Sequence, residues 1–209
     1  MAARALRSPE TSGLLPAKAG HVARGSAPPV VPDGAIEAYP ERVVGAFERT
    51  RATGREHGFL AYAPDAPGLP FVAEPDAVGG RRVIRWRWEH PEATVAFSFH
   101  THPSPDALCS PSGIDALGAL VRGEHVVYVL TMDGRLSGWR FREPAGRPRV
   151  VLDAIDALDE AGRFGSSYVD FLYDAFDALR DDLMAPAYAA RVVDGRIVPT
   201  RPTRAFFVG

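Results

Sequence analysis

Two histidines and an aspartate are the residues of this sequence best suited to chemistry. His100 and His102 are separated by one residue and followed by Pro103, and Asp115 comes shortly afterwards. Imidazole nitrogens and carboxylate oxygens are ligands that zinc binds in proteins, and a catalytic zinc ion has three protein ligands and an open fourth position. The residue types and their number therefore predict a zinc site at His100, His102 and Asp115.

The residues that lead to His102 alternate between polar and apolar side chains, as in a half-buried strand. Because successive side chains of a strand point to opposite faces, every second residue of this segment shares one face. These residues are Thr94, Ala96, Ser98, His100 and His102. Pro103 has no amide proton to donate to a sheet, so we expect it to end the strand and leave both histidines beside the following loop.

A short helix is predicted to carry Asp115. Residues 113–121 have an apolar stripe at helical spacing, formed by Ile114, Leu117, Leu120 and Val121. Ser112 precedes this helix, and a serine followed three residues later by an acid is typical of a capping box. We interpret Asp115 both as a metal ligand and as a member of the capping box, since a capped first turn is a rigid platform for a carboxylate that faces the histidine loop.

With a glutamate upstream, these residues resemble the pattern of the JAMM, or MPN-plus, zinc metallopeptidases, and of their small bacterial members in particular. That pattern is a glutamate, then His-x-His-Pro, then Ser-x-x-Asp, and it falls here on Glu56, residues 100–103 and residues 112–115. The resemblance spans roughly Glu56 to Phe141. The loop between the two motifs is about two residues longer than the usual family spacing, an insertion that costs little entropy. We expect the extra length to affect which substrate approaches the site.

The resemblance also implies roles for the individual residues. His100, His102 and Asp115 would bind the zinc ion. Glu56 would take a proton from the attacking water and pass it to the leaving amine. Ser112 would donate a hydrogen bond to the oxyanion of the tetrahedral intermediate.

Glu74 and Glu89 are weaker candidates for the same glutamate. Glu74 lies in a segment of Pro and Asp residues, and Glu89 lies at the end of a predicted strand, close to Pro91. Glu56 instead opens a short apolar strand, as the glutamate of the family does, and it is the base that we predict.

The order of predicted elements, a helix, strands, a helix and further strands, suits a mixed α/β (α+β) domain. The resemblance implies a curved sheet flanked by helices, in the cytidine-deaminase-like architecture of JAMM and MPN domains. It further implies Zn²⁺-dependent hydrolysis of a peptide or isopeptide bond in a protein or peptide substrate, such as a conjugate of a ubiquitin-like modifier.

Two other classes of function stay open. A catalytically silent MPN-type scaffold would keep the fold, although such scaffolds usually lack the ligands that are present here. An unrelated metal-dependent hydrolase that begins with His-x-His would need further ligands downstream, and His125 is the only histidine after His102. A chain of 209 residues is also short for a metal-dependent hydrolase built on a barrel of about 250 residues.

Composition and periodicity predict three segments. Residues 1–33 are rich in Ala, Gly, Pro and Ser and predict a flexible N-terminal tail. The resemblance implies that residues 34–150 form a JAMM-like metallopeptidase domain. Residues 151–209 predict a C-terminal helical extension and tail. The predicted helices outside 113–121 are Ile36 to Arg51, Val151 to Ala161 and Ser167 to Met184. The predicted strands are Gly58 to Tyr62, Phe71 to Ala73, Arg82 to Glu89, Thr94 to His100, Val126 to Thr131 and Arg135 to Phe141. An Asp-Gly turn joins the last two strands, and the segment from Arg191 onward is either an edge strand or a segment packed across the domain.

Composition also limits the expected partners and compartment. The net charge of −2 gives no reason to expect nucleic acid. Basic residues alternate with tryptophans in residues 81–88, but the strict alternation favours a strand covering the core over a surface that stacks on bases. We expect no membrane span, since no run of about 18 apolar residues occurs. A single cysteine and the absence of a signal-like N-terminal segment predict a cytoplasmic protein.

Cys109 lies in the loop between the predicted ligands, where a thiolate could reach zinc and take its open position. A lone cysteine more commonly packs as a small apolar side chain. Packing is therefore the interpretation that we prefer.

Overall fold

In its described residues, the chain forms a mixed α/β fold around one mixed sheet of eight strands. The computed structural model describes residues 31–63, 72–73, 76–80, 84, 86, 93–105, 107–142, 180–181 and 183–207. In this part of the chain, no helix has both the length and the apolar character needed to cross a membrane.

Three helices and a 3-10 turn accompany the strands in the described residues. In chain order the elements are a 3-10 helix Ala35–Ala38, α1 Pro40–Thr53, β1 His57–Tyr62, β2 Val72–Ala73, β3 Ala77–Val78, β4 Val95–His102, α2 Gly113–Val121, β5 Val126–Thr131, β6 Arg135–Phe141, β7 Met184–Val193, β8 Arg196–Pro199 and α3 Arg204–Phe207. The strand order across the sheet is β2, β1, β4, β5, β6, β7, β8, and β3 also pairs with β1.

Strands β4 and β5 are parallel, whereas the other strand pairs among the described residues are antiparallel. A parallel pair needs a connection that crosses from one end of the sheet to the other. Here that crossover contains α2, so the start of the helix lies next to the end of β4. The topology therefore brings Asp115, in the first turn of α2, towards His100 and His102.

The two faces of the sheet bury different clusters. Phe97 and Phe99 of β4 belong to a core cluster with residues of α1, β1 and alternate positions of β5. Val127 and Val129, the intervening residues of β5, belong to a second cluster with Ala116 of α2. Because side chains alternate along β4, Ser98 and His100 face the same side as α2.

The central elements agree with the sequence predictions. Strands β1, β5 and β6 and helix α2 lie where they were predicted, and β4 ends at His102, immediately before Pro103. The predicted helix from Ile36 to Arg51 is wrong in its first part, because a 3-10 helix ends before Pro40 and α1 begins there. Proline lacks an amide proton and is accepted in the first turn of a helix but not in its interior.

Several predictions fall on residues that the structure does not describe. They include the tail to residue 30, the helix 151–161, most of the helix 167–184 and most of the strand 82–89. Within that last segment, Ile84 is buried and Trp86 packs against a small cluster of Leu60, Tyr62 and Val95. These two alternate residues therefore face the core, as the pattern predicted.

The C-terminal segment contributes two strands to the central sheet. The predicted helix to Met184 is too long, because Met184 begins β7. This strand contains Pro186 and several alanines, and both residue types are unfavourable for strands. Pro186 lies at a shift in the register between β6 and β7, where a proline is tolerated. Asp194 and Gly195 both have positive φ, as in a tight hairpin turn, and lead into the edge strand β8. Phe206 and Phe207 then pack on the core, so both alternatives for the last segment occur.

Candidate metal centre

The two histidines converge at the end of β4. His100 is almost completely buried and His102 is half-buried. Their Nε2 atoms lie 3.1 Å apart, so both rings present the same nitrogen to one point. The shared strand face that the sequence predicted therefore brings the two imidazoles together.

Asp115 completes the cluster from the first turn of α2. Its Oδ2 atom lies 3.3 Å from Nε2 of His100 and 3.9 Å from Nε2 of His102. The same oxygen accepts hydrogen bonds from the backbone N–H of Ser112 at 2.9 Å and from its hydroxyl at 2.6 Å. The N–H of Asp115 donates in turn to the Ser112 hydroxyl at 3.2 Å, which completes the predicted capping box.

The separations suit a tetrahedral metal ion. All three ligand atoms lie within 4.8 Å of one another. With bonds of about 2.0–2.1 Å, a tetrahedral zinc ion would hold its ligand atoms about 3.3–3.4 Å apart. The observed distances of 3.1, 3.3 and 3.9 Å bracket that value. Two imidazoles and a carboxylate also suit several divalent transition metals, zinc among them.

A backbone carbonyl selects the tautomer of His102. Its Nδ1 lies 3.3 Å from the carbonyl oxygen of Leu108, which can only accept a hydrogen bond. With the proton on Nδ1, the Nε2 atom keeps its lone pair free for a metal. The Nδ1 atom of His100 is buried and has no hydrogen-bond partner among the described residues.

The cluster is strongly coupled through its charges. Burial by itself raises the pKa of Asp115, but the neighbouring His100 and His102 outweigh it and hold the pKa well below its ordinary value. Burial lowers the pKa of His100, but the carboxylates of Asp115, Glu56 and Glu124 outweigh it, and the net pKa is raised. In the metal-free protein these shifts favour a protonated His100 paired with an ionised Asp115. A metal ion that binds there would displace the proton from the His100 imidazole.

Glu56 lies beside this cluster, immediately before β1. It is buried, with 5 % of its surface exposed, and its backbone pairs with Gly79 and Gly80. Gly58 pairs with His100, so two residues earlier Glu56 is placed across from His102. Burial raises the pKa of Glu56 to about 7, an increase that His100 opposes and Asp115 reinforces. The rival candidates Glu74 and Glu89 lie outside the described residues.

A glycine allows β1 to come this close to β4. A Cβ atom at Gly58 would lie 2.1 Å from the carbonyl oxygen of Phe99 and 3.0 Å from Cα of His100. Any side chain there would push the two strands apart. Gly58, two residues after Glu56, thus keeps the glutamate next to β4, the strand that carries both histidines.

Ser112 occupies the predicted position but uses its hydroxyl proton within the site. The hydroxyl donates to Asp115 Oδ2, so in this arrangement its proton is not directed at a substrate. Its evident effect is to hold the Asp115 carboxylate in place.

A second set of polar residues, not indicated by the sequence, lies behind His100. Glu124 is fully buried, accepts a hydrogen bond from Ser98 at 2.6 Å and pairs with Arg122. The Arg122 guanidinium in turn lies 5.6 Å from the centre of the Trp86 ring, which is 6.4 Å from the His100 ring. The alternation placed Ser98 on the correct face of β4. Its partner Glu124 follows α2 in the chain, and no local spacing indicated that the two residues would meet.

Cys109 is fully buried in the core on the α2 side of the sheet, as the packing interpretation predicted. Its thiol donates to the carbonyl oxygen of Arg135 at 3.4 Å, and burial raises the pKa of the thiol. A buried, protonated thiol is a poor metal ligand.

Comparison with known proteins adds no family to these observations. No protein-family model matches the chain. No curated protein matches it either. The fold and the site together define a mixed α/β protein with a His, His, Asp cluster that could hold a metal ion.

Proposed function

We propose that the protein is a zinc-dependent hydrolase of peptide or isopeptide bonds, of the JAMM or MPN-plus type. The proposal includes the cytidine-deaminase-like architecture of that family, for which the parallel β4 and β5 joined through α2 are the supporting feature. The observation that carries the proposal is the position of Glu56, a buried carboxyl group with a raised pKa, beside three converging ligand atoms.

The ligand assignment is His100, His102 and Asp115. A zinc ion held there would supply Lewis acidity at an open fourth position, where water or a carbonyl oxygen could be polarised. The capping box holds Asp115 and the Leu108 carbonyl orients His102, so these two ligands are positioned before any metal binds.

Glu56 supplies the acid and base chemistry. A carboxyl group with a pKa of about 7 can accept a proton from an attacking water and return it to the leaving amine at neutral pH. An ordinary exposed glutamate is a much weaker base. Burial beside the cluster thus suits Glu56 to both proton transfers.

Ser112 has two roles in the proposal, and they compete for one proton. It positions Asp115 through its hydroxyl and N–H. The oxyanion role that the family resemblance implies would require the hydroxyl to turn away from Asp115. That role stays a prediction.

The substrate class in this proposal is a protein or peptide with an accessible amide bond, including a conjugate of a ubiquitin-like modifier. The support is the resemblance of the ordered motifs at Glu56, residues 100–103 and residues 112–115.

The decisive experiment is Glu56→Gln, assayed on ubiquitin-like isopeptide conjugates and on unstructured peptides. The amide keeps the shape of the side chain but cannot accept the proton. We expect a variant that folds and binds zinc as the wild type does, but hydrolyses amides about 10² to 10⁴ times more slowly.

Glu48→Gln is the matched control, because Glu48 is exposed on α1. Glu74→Gln and Glu89→Gln test the rival glutamates, and all three variants are expected to stay close to wild type. A fully active Glu56→Gln variant would exclude Glu56 as the base. A wild type that binds zinc yet cleaves no substrate of the panel would favour the scaffold alternative.

A further inference from the structure

The loop between His102 and Ser112 is hydrogen-bonded at Cys109 to two side chains of β6. The carbonyl oxygen of Cys109 accepts hydrogen bonds from the Ser137 hydroxyl at 2.8 Å and from Nε1 of Trp139 at 3.2 Å. This loop connects two ligands of the proposed metal centre, so its anchors also position those ligands.

A second anchor comes from a residue distant in sequence. Nη1 of Arg180 donates to the carbonyl oxygen of Pro111 at 3.0 Å, across 69 residues of chain, and lies 3.4 Å from the Ser110 hydroxyl. Arg180 is buried, with 9 % of its surface exposed. Asp181 also pairs with its guanidinium, but that carboxylate is 63 % exposed and water screens it.

The bond to Pro111 reaches Asp115 through a single peptide group. The carbonyl of Pro111 and the N–H of Ser112 belong to the same planar unit and point in opposite directions. Arg180 holds the carbonyl end, and the N–H end donates to Oδ2 of Asp115 at 2.9 Å. A cation on the carbonyl both fixes the plane and polarises the N–H, which strengthens its bond to the carboxylate.

We propose that Arg180 is a positioning residue for the metal centre, acting on Asp115 through the peptide group between Pro111 and Ser112. This inference rests on the proposed metal centre. It gives Arg180, which lies far outside the His-x-His-Pro and Ser-x-x-Asp motifs, a part in positioning a proposed metal ligand.

The test compares Arg180→Met with Arg140→Met. Arg140 is the matched control, since its guanidinium donates to the Asp33 carboxylate and the Val31 carbonyl oxygen rather than to the loop after His102. Zinc dissociation constants are measured by competition with a chelating dye, and Co²⁺ absorption spectra report the ligand geometry. We expect Arg180→Met to bind zinc about 10 to 100 times more weakly and to alter the Co²⁺ spectrum, and Arg140→Met to do neither.

A second readout needs no metal. Hydrogen exchange of the Ser112 amide in the metal-free protein reports its bond to Asp115 directly. We expect this exchange to be at least about tenfold faster in Arg180→Met than in the wild type, and unchanged in Arg140→Met. If Arg180→Met fails to fold, Arg180→Lys replaces it. Lysine keeps the charge but not the planar fork, so an intermediate loss of zinc affinity is expected.

The two readouts separate the inference from the proposed function. An unchanged Ser112 exchange rate in Arg180→Met would overturn the inference whether or not the protein binds zinc. Faster exchange with a wild-type zinc dissociation constant would also overturn it. A wild type that binds no zinc would instead overturn the proposed function, and the exchange rates alone would then decide whether Arg180 positions Asp115.

Discussion

Alternate residues of β4 face two very different environments. On the α1 side, Phe97 and Phe99 pack in an aromatic cluster, with ring centres of Phe59 and Phe99 5.2 Å apart and those of Phe97 and Tyr128 also 5.2 Å apart. On the α2 side, Ser98 faces the fully buried carboxylate of Glu124, and His100 faces the partly buried carboxylate of Asp115. One strand thus separates an aromatic core from a polar cluster.

The two sides contribute differently to stability. Burial of large aromatic side chains is favourable and needs no partner of a particular charge. Buried ionised groups are instead costly unless they are paired and hydrogen-bonded, and removal of one partner leaves the other unsatisfied. Burial raises the pKa of Glu56 to about 7, the direction expected where an ionised carboxylate is costly to bury. The aromatic face therefore stabilises the fold, whereas the polar face carries a cost in stability and is the face that we propose binds metal.

The largest expected effect is the loss of metal from the polar face. The double variant His100→Ala, His102→Ala removes two of three ligands and should reduce zinc from about one ion per chain to none, measured by elemental analysis. Because the aromatic face is untouched, the metal-free double variant should still fold. His125→Ala, outside the cluster, should keep its zinc. Full zinc content in the double variant would mean that the ligands are misassigned.

A change on the aromatic face should lower the stability of the protein without changing how much zinc it binds. Phe99→Ala removes a fully buried ring and should lower the free energy of unfolding by about 3–5 kcal/mol, measured by urea denaturation of the metal-free protein. Under conditions where it is folded, this variant should bind the same amount of zinc as the wild type. A loss below about 1 kcal/mol would contradict the assignment of stability to this face.

A third variant tests the cost of the polar face. The pKa of Glu56 is raised from 4.5 to about 7, so the wild type loses stability as the pH rises from about 4.5 to about 7 and stays at the lower level above it. Glu56→Gln should therefore stabilise the metal-free protein at pH 8 by up to about 3 kcal/mol, and the gain should vanish near pH 4. Urea denaturation across this range measures it, with Glu48→Gln as the control. A gain independent of pH would show that ionisation of Glu56 is not the cause.

The smallest effect is expected at Cys109. Cys109→Ser replaces a buried thiol that touches no ligand, so zinc content and activity should stay near wild type, with a stability loss of about 1 kcal/mol. Parallel zinc, activity and denaturation measurements test this expectation. A large gain in activity would instead indicate an inhibitory thiolate.

Local sequence patterns were sufficient for the elements that carry the ligands. Alternation predicted β4 with both histidines on one face, and the Ser112 and Asp115 spacing predicted the capped start of α2. These features depend on side-chain periodicity and on hydrogen bonds within a few residues, which a sequence displays directly. Pro40 is the local signal for the start of the first helix, which begins there and not at Ile36.

Contacts between distant segments were decided only by the tertiary structure. The sequence by itself determined which residues could bind a metal, but it did not show that Glu124 would bond Ser98 or that Arg180 would reach Pro111. It also did not predict β7, whose alanines and proline form a strand because β6 offers hydrogen-bonding partners along it. The physical reason is that hydrogen bonds between distant segments depend on how strands and helices pack, and the spacing of residues along the chain does not specify that packing.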